Sequence, residues 1–130
     1  MDKLEYIPGD IVSVYVGIKK YIVKIIGVEY ENEVLSYQIK FPNGEIQYAD
    51  KDNIVPIPLT PEILLKNGWM LYHLYYWFTE EKCLKLRLLK LDKRPWNAYI
   101  GSNLMRVNIH SVSDLQNLLF GLGLNSEMEV

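Results

Sequence analysis

Three prolines within six positions divide this chain near its middle, in the segment "NIVPIPLTPEILLKNGW" at residues 53–69. Proline lacks a backbone N–H and restricts φ to about −65°, so neither a central strand nor a helix can run through the segment. The segment also carries Ile57 and Leu59, and flexible linkers are seldom so apolar. It therefore predicts a stiff, partly buried joint between a unit of residues 1–56 and a unit of residues 57–130.

The residues before the joint predict five short strands. Alternating apolar residues mark "GDIVSVYV" (9–16), "YIVKIIGVEY" (21–30) and "VLSYQIKF" (34–41). Asn43-Gly44 then gives a strong hairpin signal into "EIQYA". Five short strands in so few residues predict a small, strongly bent sheet or barrel.

The same unit resembles the SH3-like small barrels of the Tudor and KOW type. The resemblance is carried by Gly9-Asp10-Ile11-Val12, by "VKIIGV" and by "YQIKFPNGEIQYADKDNIVPI". In those barrels a strand ending in a glycine turn is followed by a strand and a short final segment before a proline. The resemblance implies an SH3-like β unit over residues 1–56.

After the joint, Thr60-Pro61-Glu62 predicts a helix entrance and Gly68 its end. "WMLYHLYYWF" (69–78) alternates apolar residues on both faces, which predicts one buried central strand. Residues 82–94 predict a strand with a β-bulge at Leu88-Leu89, although their leucines, lysines and arginines are also good helix formers.

The chain is predicted to close with two strands and a helix. "WNAYIG" and "NLMRVNI" follow one another across Gly101-Ser102. Ser111 to Asp114 forms a capping-box entrance, and an apolar stripe at helical spacing follows it. The predicted fold class is α+β: an SH3-like barrel, a short helix, an antiparallel meander of three to four strands and a C-terminal helix.

A second resemblance covers "PIPLTPEILLKNGW" (56–69) and "VNIHSVSDLQNLLFGL" (107–122). Both segments are similar to small proteins of unknown function that are encoded by phages, prophages and mobile elements of gut anaerobes. Ser113 stands where that family usually has a histidine. The resemblance implies a phage or mobile-element origin and no particular activity.

The chain carries no recognisable catalytic constellation. One cysteine and two histidines exclude an internal disulfide and an ordinary four-ligand zinc site, and no phosphate-binding glycine loop occurs. Burial habits favour Cys83 as a small apolar residue and His73 and His110 as structural groups. We expect a protein that is not an enzyme and that uses no metal and no cofactor.

Residues 82–94 are strongly basic, with six lysines and arginines against one aspartate. Cations beside aromatic rings are typical of grooves that bind single-stranded nucleic acid. The alternative is that the cations only form the solvated face of a half-buried sheet. The candidate binding residues are Lys85, Arg87, Lys90, Arg94, Trp96 and Tyr99.

Aromatic residues of the first unit are a second set of candidates. A small barrel could gather them into a pocket whose ring faces suit a cation or a proline-rich peptide. The alternative is that these rings fill the barrel core. The candidates are Tyr15, Tyr37, Phe41 and Tyr48.

These observations favour a binding protein whose partner is a host or phage protein. One alternative is a nucleic-acid accessory factor that uses the basic segment, and another is an anti-defence protein that sequesters a nucleotide-like signalling molecule. The first residues do not resemble a signal peptide and no apolar run approaches eighteen residues. We therefore expect a cytoplasmic protein without a membrane partner, inside the host cell if it is phage-encoded, and leave a homo-oligomer open.

Overall fold

The computed structural model describes residues 6–79, 85–101 and 103–130, with the backbone alone at residues 77–79, and contains two antiparallel sheets. The first sheet comprises β1 (Ile11–Val16), β2 (Lys19–Glu31), β3 (Val34–Lys40), β4 (Ile46–Asp50) and β5 (Ile54–Pro56). Next come α1 (Pro61–Lys66), β6 (Met70–Tyr72), β7 (Tyr75–Thr79), β8 (Lys85–Leu89), β9 (Trp96–Ile100), β10 (Asn103–Ile109) and α2 (Val112–Gly121). The chain is α+β and mostly antiparallel sheet, as predicted.

The first sheet curls so that one face encloses its own core. Its strand order is β4-β3-β2-β1-β5, which places β4 and β5 at opposite edges. Only the 3-10 turn Lys51–Asn53 connects these edges, and four Cα steps reach at most about 15 Å. Five flat strands would separate the edges by about 19 Å, so the sheet has to bend. The enclosed core contains Tyr6, Val12, Val14, Val23, Ile25, Tyr37, Ile39, Ala49 and Ile54.

The curled sheet is not a closed barrel. Within the described residues β4 pairs with β3 and β5 pairs with β1, but β4 and β5 do not pair with each other. Of the two predicted forms, a strongly bent sheet or a barrel, the structure therefore has the bent sheet, since β5 is only three residues long and ends in Pro56. The five strands and the Asn43-Gly44 connection are confirmed, with Gly44 at φ 92° and its N–H donated to the carbonyl oxygen of Phe41.

The second sheet has the order β10-β9-β8-β7-β6, and both helices pack on one of its faces. Leu86 and Leu88 point to that face, where they meet Leu64 of α1 and Leu115 of α2. The C-terminal residues add Leu124 and Met128 to the same core. Complete burial of side chains of this size, at about 1.5–3 kcal/mol each, is the main stabilising term of the unit.

Residues 69–78 form a hairpin instead of the predicted central strand. His73 and Leu74 make a two-residue turn that places Tyr72 opposite Tyr75, and β6 lies at the edge of the sheet. His73 adopts φ 58°, the left-handed value that the first position of a type II′ turn requires. The turn contains no glycine, asparagine or aspartate that would mark it in the sequence. The alternating residues 69–78 therefore match one long strand equally well. The meander accordingly has five strands and not three to four.

Residues 85–89 form strand β8, as predicted, while residues 82–84 lie outside the described residues. The predicted bulge at Leu88-Leu89 is absent, since Leu88 pairs with Ala98 and Leu89 pairs with Asn97 in unbroken register. Leu89 is buried although it points away from the helices. The register shift of this sheet instead lies in β10, between Met105 and Asn108. The two predicted strands β9 and β10 are confirmed, and Ser102 between them lies outside the described residues.

The proline joint is partly buried, as predicted. Leu59 is 2 % exposed in the core of the second unit, and Ile57 packs against that core. The joint also pairs with the residues that precede α2: the N–H of Val112 donates to the carbonyl oxygen of Ile57 at 2.8 Å, and the N–H of Leu59 donates to that of His110 at 3.2 Å. These bonds make the joint a structural part of the second unit.

Both helices begin at the predicted caps. The Thr60 hydroxyl accepts the N–H of Ile63, and Pro61 occupies the first turn of α1. At α2 the Ser111 hydroxyl accepts the N–H of Asp114, whose carboxylate accepts the N–H of Ser111, which completes the capping box. Neither helix of the described chain is long and apolar enough to cross a membrane.

A buried polar seam joins the first sheet to α2. The side-chain amide of Gln116 accepts the N–H of Ile11 at 2.8 Å and donates to the carbonyl oxygens of Gly9 at 2.9 Å and Ser126 at 3.0 Å. One amide thus provides partners for half-buried backbone groups at the start of β1 and in the C-terminal segment. The buried polar residues of the described chain all lie at β1 or at the start of α2: Asp10, Ser13, Ser111, Ser113 and Gln116.

Replacing Gln116 with glutamate should destabilise the fold. A carboxylate still accepts the N–H of Ile11 but cannot donate to Gly9 or Ser126, and it places a charge against two carbonyl oxygens. We expect a loss of about 2–4 kcal/mol in the free energy of unfolding, measured by urea denaturation. The matched control is Gln47→Glu on β4, which loses only an exposed hydrogen bond to Glu45 and should change the free energy by no more than about 1 kcal/mol. Equal, small losses in both variants would contradict the role of the seam.

Candidate functional site

A stacked arginine lies at the centre of the second sheet, on the face that the helices leave uncovered. Side chains alternate along β8, so Arg87 points away from the core that contains Leu86 and Leu88. Its guanidinium carbon lies 4.7 Å from the ring centroid of Tyr75 and 5.4 Å from that of Tyr99. The two rings meet edge to face at 5.7 Å, and the guanidinium also donates to the carbonyl oxygen of Gly101.

Strand register explains why these three residues meet. Arg87 lies directly opposite Tyr99 of β9, and Tyr75 belongs to β7 on the other side of β8. Each cation–π contact stabilises the arrangement by about 0.5–2 kcal/mol, depending on exposure. All three side chains are partly buried, so the guanidinium is held in one place while part of it still faces solvent.

Exposed apolar side chains surround this stack. Met70 and Tyr72 of β6 are 56 % and 64 % exposed, and Leu104 of β10 is 55 % exposed. Their register places all three on the side of the sheet that carries Arg87. We call the part of this side around the stack the outer face, and among the described residues we define it as Met70, Tyr72, Tyr75, Lys85, Arg87, Tyr99 and Leu104.

The structure brings together three of the six residues predicted from the basic segment, namely Lys85, Arg87 and Tyr99. Trp96 is wrong as a stacking residue, because it is 2 % exposed in the opposite core and its indole N–H donates to the carbonyl oxygen of Leu59. Lys90 lies 5.7 Å from the Trp96 ring, and Arg94 is exposed in the following turn. The basic segment therefore does not form one continuous groove.

The four aromatic candidates of the first unit do not form one pocket. Tyr37 is fully buried in the first core and packs edge to face on Tyr6 at 5.5 Å, so its prediction as a pocket residue is wrong. Phe41 makes a similar contact with Tyr21 at 5.7 Å. Only Tyr15 and Tyr48 line a common cavity of about 270 Å³, which also contains polar groups of β4.

The remaining chemically reactive residues do not converge. His73 and His110 are both exposed, the first in the β6–β7 turn and the second just before α2. Cys83 lies outside the described residues. Among the residues that the structure does describe, no group of three or more His, Cys, Asp or Glu side chains could hold a metal ion.

Sequence reasoning missed the contributions of β6 and β7 to the outer face. Met70, Tyr72 and Tyr75 were expected inside one central strand, whereas the hairpin turn places Met70 and Tyr72 on the edge strand β6 and Tyr75 on the adjoining strand β7. The contact of Tyr75 with Arg87 depends on which strands pair, and no local pattern encodes it.

One buried carboxyl group has an unusual environment. Asp10 is 1 % exposed beside the start of α2. Its pKa is raised from 3.8 to about 6, chiefly by burial and also by the nearby Asp114 carboxylate, while the hydrogen bonds from the N–H of Ile7 and from the Asn117 side chain lower it. A shifted pKa can mark an active site, but a substrate cannot reach a carboxyl group that is so deeply covered. We interpret Asp10 as part of the polar seam.

The raised pKa of Asp10 predicts a specific dependence of stability on pH. The folded state binds the proton more tightly than the unfolded state, so the stabilisation is complete below pH 3.8 and is lost as the pH rises through about 6. Asp10→Asn mimics the protonated group. We expect urea denaturation to show that wild type loses about 2–3 kcal/mol relative to this variant between pH 4 and pH 7. A difference that does not change with pH would contradict the shift.

Comparison of the chain with protein-family models, with curated proteins and with solved structures finds no match. Because no similar protein indicates a function, the function is inferred from the outer face.

Proposed function

We propose that this chain is a non-catalytic binding protein and that its outer face contacts a protein partner. The observation that carries the proposal is Arg87, which is held between Tyr75 and Tyr99 on a sheet face that neither helix covers. Arginine, tyrosine and methionine are enriched at protein interfaces, whereas lysine, glutamate and aspartate are depleted. The outer face has this composition, with Lys85 as its only lysine and no acidic residue.

The geometry reduces the entropic cost of binding. An exposed arginine loses about 0.5–1.5 kcal/mol of side-chain freedom when a partner immobilises it. Here the two rings and the Gly101 carbonyl oxygen already restrict the guanidinium before any partner arrives. The surrounding side chains of Met70, Tyr72 and Leu104 would exclude water from the central contact, as the rim of an interaction hot spot does.

The two resemblances support a context for this binding. Similarity to phage and mobile-element proteins favours a host or phage protein as the partner, in the cytoplasm of the host cell. For the first unit we favour an SH3-like assignment in an open form. Support for it comes from a strand, a glycine turn at Gly44, a second strand and a short final strand that ends at Pro56.

Nucleic acid is the second candidate partner. The observation that favours it is that Lys85 and Arg87 share one sheet face with Tyr99, a combination on which a single strand could stack its bases. We prefer a protein partner because Trp96 is buried and the exposed apolar side chains of the outer face have no role in contacting phosphates.

Truncating the stack should weaken partner binding. The immobilised chain would be incubated with lysate of a bacterial host, and the captured proteins would be quantified by mass spectrometry. We expect Arg87→Ala and Tyr99→Ala each to reduce capture of a stoichiometric partner by roughly 10- to 30-fold, as hot-spot residues do. Lys93→Ala, which removes an exposed loop cation, is the matched control and should capture as much partner as wild type.

Two results would contradict this function. Equal capture by wild type and both stack variants would exclude the outer face as the binding surface. Capture of nucleic acid that weakens steeply between 50 and 200 mM salt would instead support the second candidate, because displacement of phosphate counterions makes such binding salt-dependent.

A further inference from the structure

Three of the four sheet edges carry features that oppose pairing with another chain. β4 ends in an acidic residue and leads into a 3-10 turn, β5 is short and ends in Pro56, and β10 carries Arg106 and a register shift. Charges, prolines and bulges are the usual means by which proteins protect an exposed edge. The fourth described edge, β6, is as short as β5 but has no proline and no register shift, and residues 69–79 contain no Lys, Arg, Asp or Glu.

The β6 edge is also markedly apolar. Met70, Leu71 and Tyr72 are 56 %, 55 % and 64 % exposed, and Leu74 in the adjoining turn is 74 % exposed. Met70 and Tyr72 lie on the outer face and Leu71 lies on the opposite face, so the edge is apolar on both sides of the sheet, and exposed apolar surface of this kind marks interaction sites.

The backbone of β6 offers a donor and an acceptor to a further strand. In a two-residue hairpin the residues that flank the turn, here Tyr72 and Tyr75, exchange hydrogen bonds with each other. The next pair, Leu71 and Tyr76, is then a non-hydrogen-bonded pair. The N–H and the C=O of Leu71 consequently point away from β7, toward the open edge of the sheet.

We infer that a second copy of this chain occupies the β6 edge, with the two β6 strands antiparallel about a two-fold axis at Leu71. In this register Leu71 exchanges two hydrogen bonds with Leu71 of the second copy. Met70 faces Tyr72 of the second copy, and Tyr72 faces its Met70, which gives two thioether–ring contacts. Because β6 is uncharged, no like charges meet across the axis, so the strand is complementary to itself.

The pairing has a consequence for the outer face. It joins the second sheet of each copy into one continuous sheet of ten strands. Because the two-fold axis is perpendicular to that sheet, both outer faces lie on the same side. The two Arg87 stacks would then lie on one extended surface. Because β6 is only three residues long, the interface is small. The dissociation constant of the dimer should therefore be micromolar or higher.

The two-fold axis at Leu71 gives a decisive test by sedimentation velocity over roughly 1–500 µM protein, a range chosen to span micromolar dissociation constants. Wild type should show a concentration-dependent dimer. Leu71→Lys and Leu71→Glu should each be monomeric, because like charges meet at the axis, and their equimolar mixture should restore the dimer. Leu104→Lys on β10 is the matched control, since Leu104 is equally exposed at 55 %, and it should dimerise like wild type.

Every outcome is informative. A wild-type chain that stays monomeric throughout overturns the inference, as does a dimer that survives Leu71→Lys. A mixture of the two charge variants that remains monomeric excludes an axis at Leu71. Substitution at so exposed a position should leave the far-ultraviolet circular dichroism spectrum unchanged, and that measurement separates loss of pairing from loss of folding.

Discussion

The structure depends on the hydrogen bonds of one buried glutamine. Gln116 of α2 binds the backbone of β1 and of the C-terminal segment at the same time. The same buried side of α2 packs Val112, Leu115 and Leu119 against the second sheet. Because this side makes apolar contacts with one sheet and hydrogen bonds with the backbone next to the other, both sheets determine the position of α2. A directional amide restricts that position more tightly than apolar packing alone, which tolerates sliding.

The fixed position of α2 leaves the other side of the second sheet open. Both helices, the proline joint and the C-terminal segment contribute to the same core, so none of them covers the outer face. A sheet with one solvated face usually presents polar residues there. This one presents tyrosines, a methionine and a leucine around a stacked arginine, and that departure is the physical basis for the proposed binding function.

Local signals in the sequence predicted much of the fold. Thr60 and Ser111 mark the helix entrances through side-chain caps, and Asn43-Gly44 marks a turn through its conformational freedom. The hairpin at His73 could not be predicted, because a histidine at positive φ carries no local signature. The contacts of Arg87 and the burial of Trp96 depend on strand pairing and on the packing of the joint, which are long-range properties. Half of the six candidate residues from the basic segment therefore lie in the opposite core or in a loop.

The tyrosine rings should hold Arg87 in place on the outer face before any partner binds. The most direct test is the NMR spectrum of the free protein, in which a guanidinium stacked on two aromatic rings experiences their ring currents. We expect the Arg87 side-chain protons to be shifted upfield in wild type and to return toward ordinary values in Tyr75→Leu and Tyr99→Leu. Ordinary shifts for Arg87 in the free wild-type protein would show that the stack does not persist in solution and would contradict the account.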